Sequence, residues 1–297
     1  MTKKQDLPET EAFDNSEKLQ KVLARAGFGS RREMERAISL GKAKINGKVA
    51  KLGDRVSPED AVEFDGKKVR ATQKESQRLR VVLYNKPEGE ICSRSDPEGR
   101  RTVYQNLPRL KNGRWISVGR LDFNTSGLLL FTNDGELANK LMHPSSNIDR
   151  EYLVRIQGEV DNDMMQRLRD GIMLEDGMAK FTDIQPGNNE EEEHSNAWFY
   201  CVVMEGRNRE VRRLWESQGV RVSRLKRVRF GNIFIPSHVR VGQWIELNDK
   251  EIRALYQTAS LDVPRKQKFS PLIKKAQERH ARKLRASGKN VSGRSKY

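Results

Sequence analysis

The run Leu128-Leu129-Leu130-Phe131-Thr132 constrains this chain more than any other stretch. It has the length of a strand buried on both faces and is far too short to cross a membrane. Its surroundings are polar and turn-forming. Before it stand Gly119-Arg120-Leu121-Asp122 and Asn124-Thr125-Ser126-Gly127, which read as a tight loop. After it, Asn133 or Asp134 is placed to cap a helix carrying Leu137, Leu141 and Met142 on one side, and Pro144 stops that helix. One carboxylate, Asp122, is therefore held in a loop wedged between buried elements, with the cation Arg120 two residues before it. A lone aspartate in such a cluster is ordinarily a turn residue, so the rest of the chain must decide.

Charge is distributed unevenly. Of 297 residues only 35% are hydrophobic and 33% are charged, for a formal net charge of +16. Residues 1–15 are acidic. Residues 16–70 hold 14 basic against 8 acidic side chains, residues 71–264 hold 29 against 28, and residues 265–297 hold 12 against 1. A near-neutral centre between basic flanks suits a polyanion held by the flanks. No lipidation signal or amphipathic aromatic stripe points to a membrane. Two cysteines, Cys92 and Cys201, do not make a disulfide framework, and the N-terminus lacks a signal-peptide core. A cytoplasmic protein is expected.

From Ser16, placed to cap a first helix with Leu19, Val22, Leu23 and Ala26 on one face, the chain becomes regular. Gly27 ends that helix, and Ser30-Arg31-Arg32-Glu33 opens a second with a Ser-x-x-Glu capping box. Its apolar face is Met34, Ala37, Ile38 and Leu40. Short strands follow: Ala43–Ile45, the turn Asn46-Gly47, then Val49 to Leu52. Across Glu17 to Val56 this text resembles the S4 RNA-binding domain. Lys18, Lys21, Arg25, Arg31, Arg32 and Arg36 would form a basic face that meets phosphates without reading sequence.

A polar linker spans 71–79. A second domain begins with the strand Arg80–Tyr84 and a turn from Asn85 to Gly89. Further strands are expected over Glu151–Ile156, Ala179–Ile184, Trp198–Met204 and Val241–Leu247, with helices near Met164–Leu168 and Asp249–Leu255. A helix-to-strand segment runs through Val222, Leu225, Val228 and Phe230. Glu190–Glu193 read as a solvated loop. Arg207, Arg209, Arg212 and Arg213 crowd EGRNREVRRLW, a density of cations that favours an RNA face. His143, His194, His238 and His280 are far apart and neither cysteine has a ligand-spaced neighbour, so no metal is expected. No Walker A loop and no strand-borne G-x-G-x-x-G is present, so no nucleotide or other cofactor is expected.

The string from Val118 to Pro144, VGRLDFNTSGLLLFTNDGELANKLMHP, resembles the catalytic motif of the pseudouridine synthases of the RsuA/RluB type. REYLV and EGRNREVRRL resemble the further motifs of that family. The resemblance implies an α+β chain, with an S4 domain over 16–70 and a synthase domain over 80–258. That domain would be a mixed, largely antiparallel sheet with flanking helices. Composition, not the resemblance, predicts a disordered acidic N-terminus (1–15) before the S4 domain, and a basic tail (259–297) follows the synthase domain. It implies isomerisation of uridine to pseudouridine in RNA, with Asp122 as the essential carboxylate. Tyr152 would stack on the target base, Arg212 would pair with Asp122, Leu225 would line the pocket, and Arg120 would fill the space left by a flipped base or hold the RNA backbone. The wording of the blocks and the basic tail look most like members acting on large-subunit ribosomal RNA. The expected partner is that RNA or a pre-ribosomal particle, met by a monomer. The competing reading is an S4-type assembly factor that binds RNA without chemistry, or a synthase of this family acting on another structured RNA. An S4-bearing methyltransferase would need a glycine-rich cofactor loop that the sequence lacks.

Overall fold

The computed structural model describes residues 16–69, 79–110, 113–187 and 196–262. The readings of residues 1–15, of most of the linker, of Glu190–Glu193 and of the basic tail beyond 262 lie outside them. The chain divides into two compact units, the first formed by residues up to 78 with 110–114 and the second by the rest.

In the first unit, helices α1 (Leu19–Arg25) and α2 (Arg31–Ser39) pack over a small antiparallel sheet. Local chemistry explains most of it. The Ser30 hydroxyl accepts from Glu33 N–H at 3.1 Å while the Glu33 carboxylate accepts from Ser30 N–H, a complete capping box. Asn46 and Gly47 both take positive φ, 51° and 80°, as a two-residue hairpin turn requires. Leu19, Val22, Leu23, Met34 and Ile38 join Ala43, Val62 and Phe64 in one apolar cluster. Two expectations fail. Ser16 does not cap α1, because its hydroxyl and carbonyl are held by Arg55 and Glu17–Lys18 pair as a short strand with Arg55–Val56. Leu40 faces solvent.

The second unit is built on a nine-stranded sheet. Its main strands are β1 (Val81–Lys86), β2 (Ser126–Thr132), β3 (Arg150–Gln157), β4 (Asp183–Pro186), β5 (Asn196–Val203), β6 (Arg221–Phe230) and β7 (Trp244–Glu246). They lie in the order β4-β5-β3-β6-β2-β1-β7, and every pairing in the sheet is antiparallel except β6 with β2. Helices α3 (Gly135–Met142) and α6 (Asp249–Thr258) cover one apolar cluster with Leu83, Leu128 and Leu130. Helices α4 (Asn162–Asp170) and α5 (Glu210–Glu216) cover another with Val154, Ile156 and Leu225. The buried run Leu128–Thr132 is thus a central strand with both faces covered, as its composition requires.

Several boundaries differ from the sequence reading. The first strand continues to Lys86, where a turn was expected, because Asn85 and Lys86 pair with Leu128 and Gly127. Ala179–Ile184 is not one strand. Its start closes a separate hairpin (Ile172–Leu174 with Gly177–Ala179), and the chain pairs with β5 only from Asp183. The segment through Val222 and Phe230 is a single ten-residue strand, and the last strand shortens to Trp244–Glu246. In α3, Asp134 supplies the cap, accepting from Glu136 N–H at 2.8 Å. Ala138 takes the buried position expected of Met142, which is 38% exposed.

Candidate active site

The lone parallel contact of the sheet marks the place where the Asp122 loop enters it. Gly127 faces Arg227 across that contact with φ of 103°, and a Cβ on Gly127 would lie 2.2 Å from the Arg227 carbonyl oxygen. Only glycine fits there. Directly paired residues project on one face of a sheet. The register therefore lines up Tyr152, Arg227, Gly127 and Lys86 across four neighbouring strands, with Val154 and Leu225 paired alongside.

The loop above this row is held by its backbone. The Leu121 carbonyl accepts from the Cys92 thiol at 3.2 Å. The Asp122 carbonyl accepts from the Lys86 ammonium at 3.0 Å and from Thr125 N–H at 3.1 Å. The Phe123 carbonyl accepts from Gly89 N–H at 2.9 Å, that of Asn124 from the Arg212 guanidinium at 2.9 Å, and that of Thr125 from Lys86 at 2.9 Å. Every carbonyl from Leu121 to Thr125 is thereby fixed. The Asp122 side chain is left partly exposed on a backbone that has little freedom to move.

Two buried cations do most of this. Lys86 is 0% exposed and spends its three protons on the carbonyls of Pro87, Asp122 and Thr125. Burial draws its ammonium below the ordinary lysine range, while Cys92, Glu90 and Asp122 pull the other way. Arg212, 4% exposed, donates to Asn124 and, at 3.0 Å, to the Val222 carbonyl, so it ties the loop to β6. Burial lowers its guanidinium, Arg209 adds to that, and Asp122 opposes it. The direct ion pair expected between Arg212 and Asp122 is not formed. With Nη1 and Nη2 donating to carbonyls and Nε buried without a partner, the guanidinium acts on the aspartate through the backbone of Asn124 and through its field. Arg213, its neighbour in sequence, points elsewhere and pairs with Asp176 at 2.8 Å.

Tyr152 is partly exposed, and Leu225 is buried on the same face. Arg120 is exposed. Arg207 is engaged by Glu205 and by Asp176, and Arg209 by Glu216 at 3.7 Å, so the arginines of EGRNREVRRLW are less free than their density suggests. In the first unit Lys18, Arg31 and Arg32 are exposed, whereas Lys21 and Arg25 pair with Glu17 at 2.9 and 2.5 Å. Among the described residues no three His, Cys, Asp or Glu side chains gather as a metal-binding group, and no helix is long and apolar enough to cross a membrane.

Sequence reasoning missed Lys86, Cys92, Gly89, Arg150 and Arg227. Arg150 donates from the start of β3 to the carbonyls of Ile148, Met204 and Glu205. Arg227 is buried, with Nε on the Leu128 carbonyl at 2.8 Å. One signal was available for Lys86: two-residue spacing places it on the same strand face as Val82 and Tyr84, both buried.

Comparison with known proteins agrees with this geometry. The sequence pattern of the RNA pseudouridylate synthases matches residues 80–217, and that of the S4 domain residues 17–62. Ribosomal large subunit pseudouridine synthase B of Vibrio cholerae is 56% identical over 247 residues, covering 83% of this chain and 76% of the relative. Its counterpart in Yersinia pestis is 50% identical over 283 residues, 94% and 88% of the two chains. That of Pseudomonas aeruginosa is 57% identical over 258 residues, 86% of this chain and 66% of the longer relative. A crystal structure of a pseudouridylate synthase superposes with a TM-score of 0.55 at 27% identity, over 80% of this chain and 99% of that one. The chain belongs to the RNA pseudouridylate synthases, in the group of the ribosomal large subunit pseudouridine synthases B.

Proposed function

We propose that this protein isomerises uridine to pseudouridine within large-subunit ribosomal RNA, with Asp122 as the reacting carboxylate. The observation that carries the reading is the clamp on the five carbonyls from Leu121 to Thr125, which presents one partly exposed carboxylate from an immobile loop. In the isomerisation the bond from N1 of uracil to C1′ breaks and a bond from C5 to C1′ forms. C5 gives up its proton and N1 gains one. The reaction consumes no oxidant and no energy source, so side chains suffice.

Asp122 serves as nucleophile or base at the sugar, and a fixed position is what either role demands. Tyr152 offers a flat face to the base and a hydroxyl for proton movement, and Leu225 supplies an apolar wall. Arg212 positions the loop and contributes positive potential. Arg120, exposed beside the loop, fills the space of the flipped base or holds the backbone. The cations of the first unit, Lys18, Arg31 and Arg32 foremost, hold phosphates, with Arg207 and Arg209 contributing from the second. The protein acts in the cytoplasm as a monomer, on ribosomal RNA or a pre-ribosomal particle.

Asp122→Asn tests the assignment. It removes the charge with little change of volume, so release of tritium from C5-labelled uridine in a large-subunit RNA transcript should cease. RNA affinity by filter binding should stay within about threefold, because phosphate contacts elsewhere dominate it. Substantial residual turnover would remove Asp122 from the chemistry.

A further inference from the structure

The clamp has a second occupant. Phe123 follows Asp122 directly, its carbonyl is pinned by Gly89 N–H, and the carbonyls on either side are pinned by Lys86 and Arg212. Its side chain is nevertheless 49% exposed and belongs to neither apolar cluster of the domain. Other exposed phenylalanines have partners. Phe28 packs on Phe64 with ring centroids 5.0 Å apart, and Phe234 lies 5.8 Å from the Arg229 guanidinium. Among the described residues Phe123 has no such ring or cation partner. A flat apolar side chain held rigidly in solvent beside the reacting carboxylate does not stabilise the fold, and its hydration is unfavourable.

We propose that Phe123 is a wedge that stacks on the base next to the target uridine once that uridine has left the RNA stack. This rests on the reading that the site acts on uridine in RNA. A uridine that swings toward Asp122 leaves a neighbouring base with one face uncovered, and unstacking is the main cost of flipping. Apolar side chains inserted at base steps offset that cost, and aromatic rings stack on any base. Phe123 suits the task because its backbone is already immobile, so little entropy is lost when the ring is covered. It is one residue from Asp122, so the wedge and the carboxylate necessarily arrive together. Phe123 thereby controls how long the target stays flipped, and it makes no bond to the reacting atoms.

The test uses the full chain and a naked large-subunit RNA transcript, with the modified position first mapped by chemical probing. Single-turnover rates are measured with saturating enzyme for Phe123→Ala and Phe123→Trp. Phe123→Ala should be slower by roughly 10- to 100-fold, and Phe123→Trp should stay within about threefold of the parent. A 2-aminopurine placed next to the target reports stacking directly. Its fluorescence on binding should differ between Phe123→Ala and the parent, whereas Asp122→Asn should give the parent signal, since it flips without reacting. Thermal melting of the variants should match the parent, because an exposed ring adds little to stability. If the parent turns over the transcript and Phe123→Ala does so equally fast with an unchanged 2-aminopurine signal, the wedge is wrong while the activity stands. That outcome would also be the one expected if Phe123 docked a protein. If the parent shows no turnover on the transcript or on pre-ribosomal particles, it is the activity that fails.

Discussion

The two units use the same residue types in opposite ways. In the S4 unit, Lys18, Arg31, Arg32 and Arg36 point into water, while Lys21 and Arg25 are neutralised by Glu17. In the synthase unit Lys86, Arg150, Arg212 and Arg227 are buried and bind neutral backbone carbonyls, with no direct carboxylate partner among the described residues. An exposed cation keeps its field for a phosphate, at a modest and salt-sensitive value. A buried one bound to carbonyls satisfies their lone pairs, fixes the loops that carry them, and leaves its positive charge uncancelled. Net charge hides this difference. The centre of the chain is nearly neutral by count, yet two buried cations, Lys86 and Arg212, are bonded to the loop that presents Asp122. On the proposed function, the surface cations would set affinity and the buried ones would set chemistry.

The hardest test of that contrast is Lys86→Met. It keeps the apolar stem and orphans three carbonyls, so we expect a stability loss on the order of 3 kcal/mol. In a domain of this size that lowers the melting temperature by about 6–12 °C. Turnover should be undetectable even where the variant is folded. A well-folded, active Lys86→Met would mean that the loop needs no clamp.

Next in size is the pair Arg212 and Arg213. Arg212→Met should slow the single-turnover rate on the order of a hundredfold or more, since the Asn124 carbonyl is released and the positive field is lost. Arg212→Lys keeps the charge but loses the forked geometry and reach of the guanidinium, so it should fall between. Arg213→Met loses an exposed pair with Asp176, worth at most about 1 kcal/mol, and should remain active. Greater damage from Arg213→Met would mean that the clamp had been assigned to the wrong arginine.

Arg31→Gln with Arg32→Gln probes the other side of the comparison. Affinity for RNA should fall and the slope of log K against log salt should shrink by about 0.7–0.9 for each phosphate contact removed. The rate with saturating enzyme should be unchanged. A loss of that rate would show that the S4 cations do more than bind.

The smallest effect concerns Glu17. Burial would raise its carboxyl, but hydrogen bonds from Lys21 and Arg25 outweigh this and hold it below the usual value of 4.5. A depressed carboxyl contributes stability above its ordinary range and loses it as pH falls through the folded value. Glu17→Gln should therefore cost under about 1 kcal/mol at neutral pH. The difference from the parent should vanish in acid, as followed by unfolding of the chain at several pH values. A difference that persists in acid would assign the Glu17 contribution to packing.

Legibility followed the range of the interactions. The Ser30–Glu33 box, the Asn46-Gly47 turn and the Asp134 cap join residues two or three apart, so their chemistry is written in adjacent letters. The boundary errors arose where a distant strand decided. Lys86 reads as part of a turn until Gly127 pairs with it, and Ser16 reads as a cap until Arg55 takes its hydroxyl.

By itself the sequence determined the two modules, the buried strand after the loop, and Asp122 with its neighbours, because each rests on contiguous pattern. Only the tertiary structure decided how that aspartate is held. Lys86 lies 36 residues from Asp122 and Arg212 lies 88 from Asn124. Contacts at such separations exist only once the sheet has set its register. A lysine or arginine bound to a carbonyl also leaves no complementary charge in the sequence to betray it, since its partner is the backbone that every residue shares.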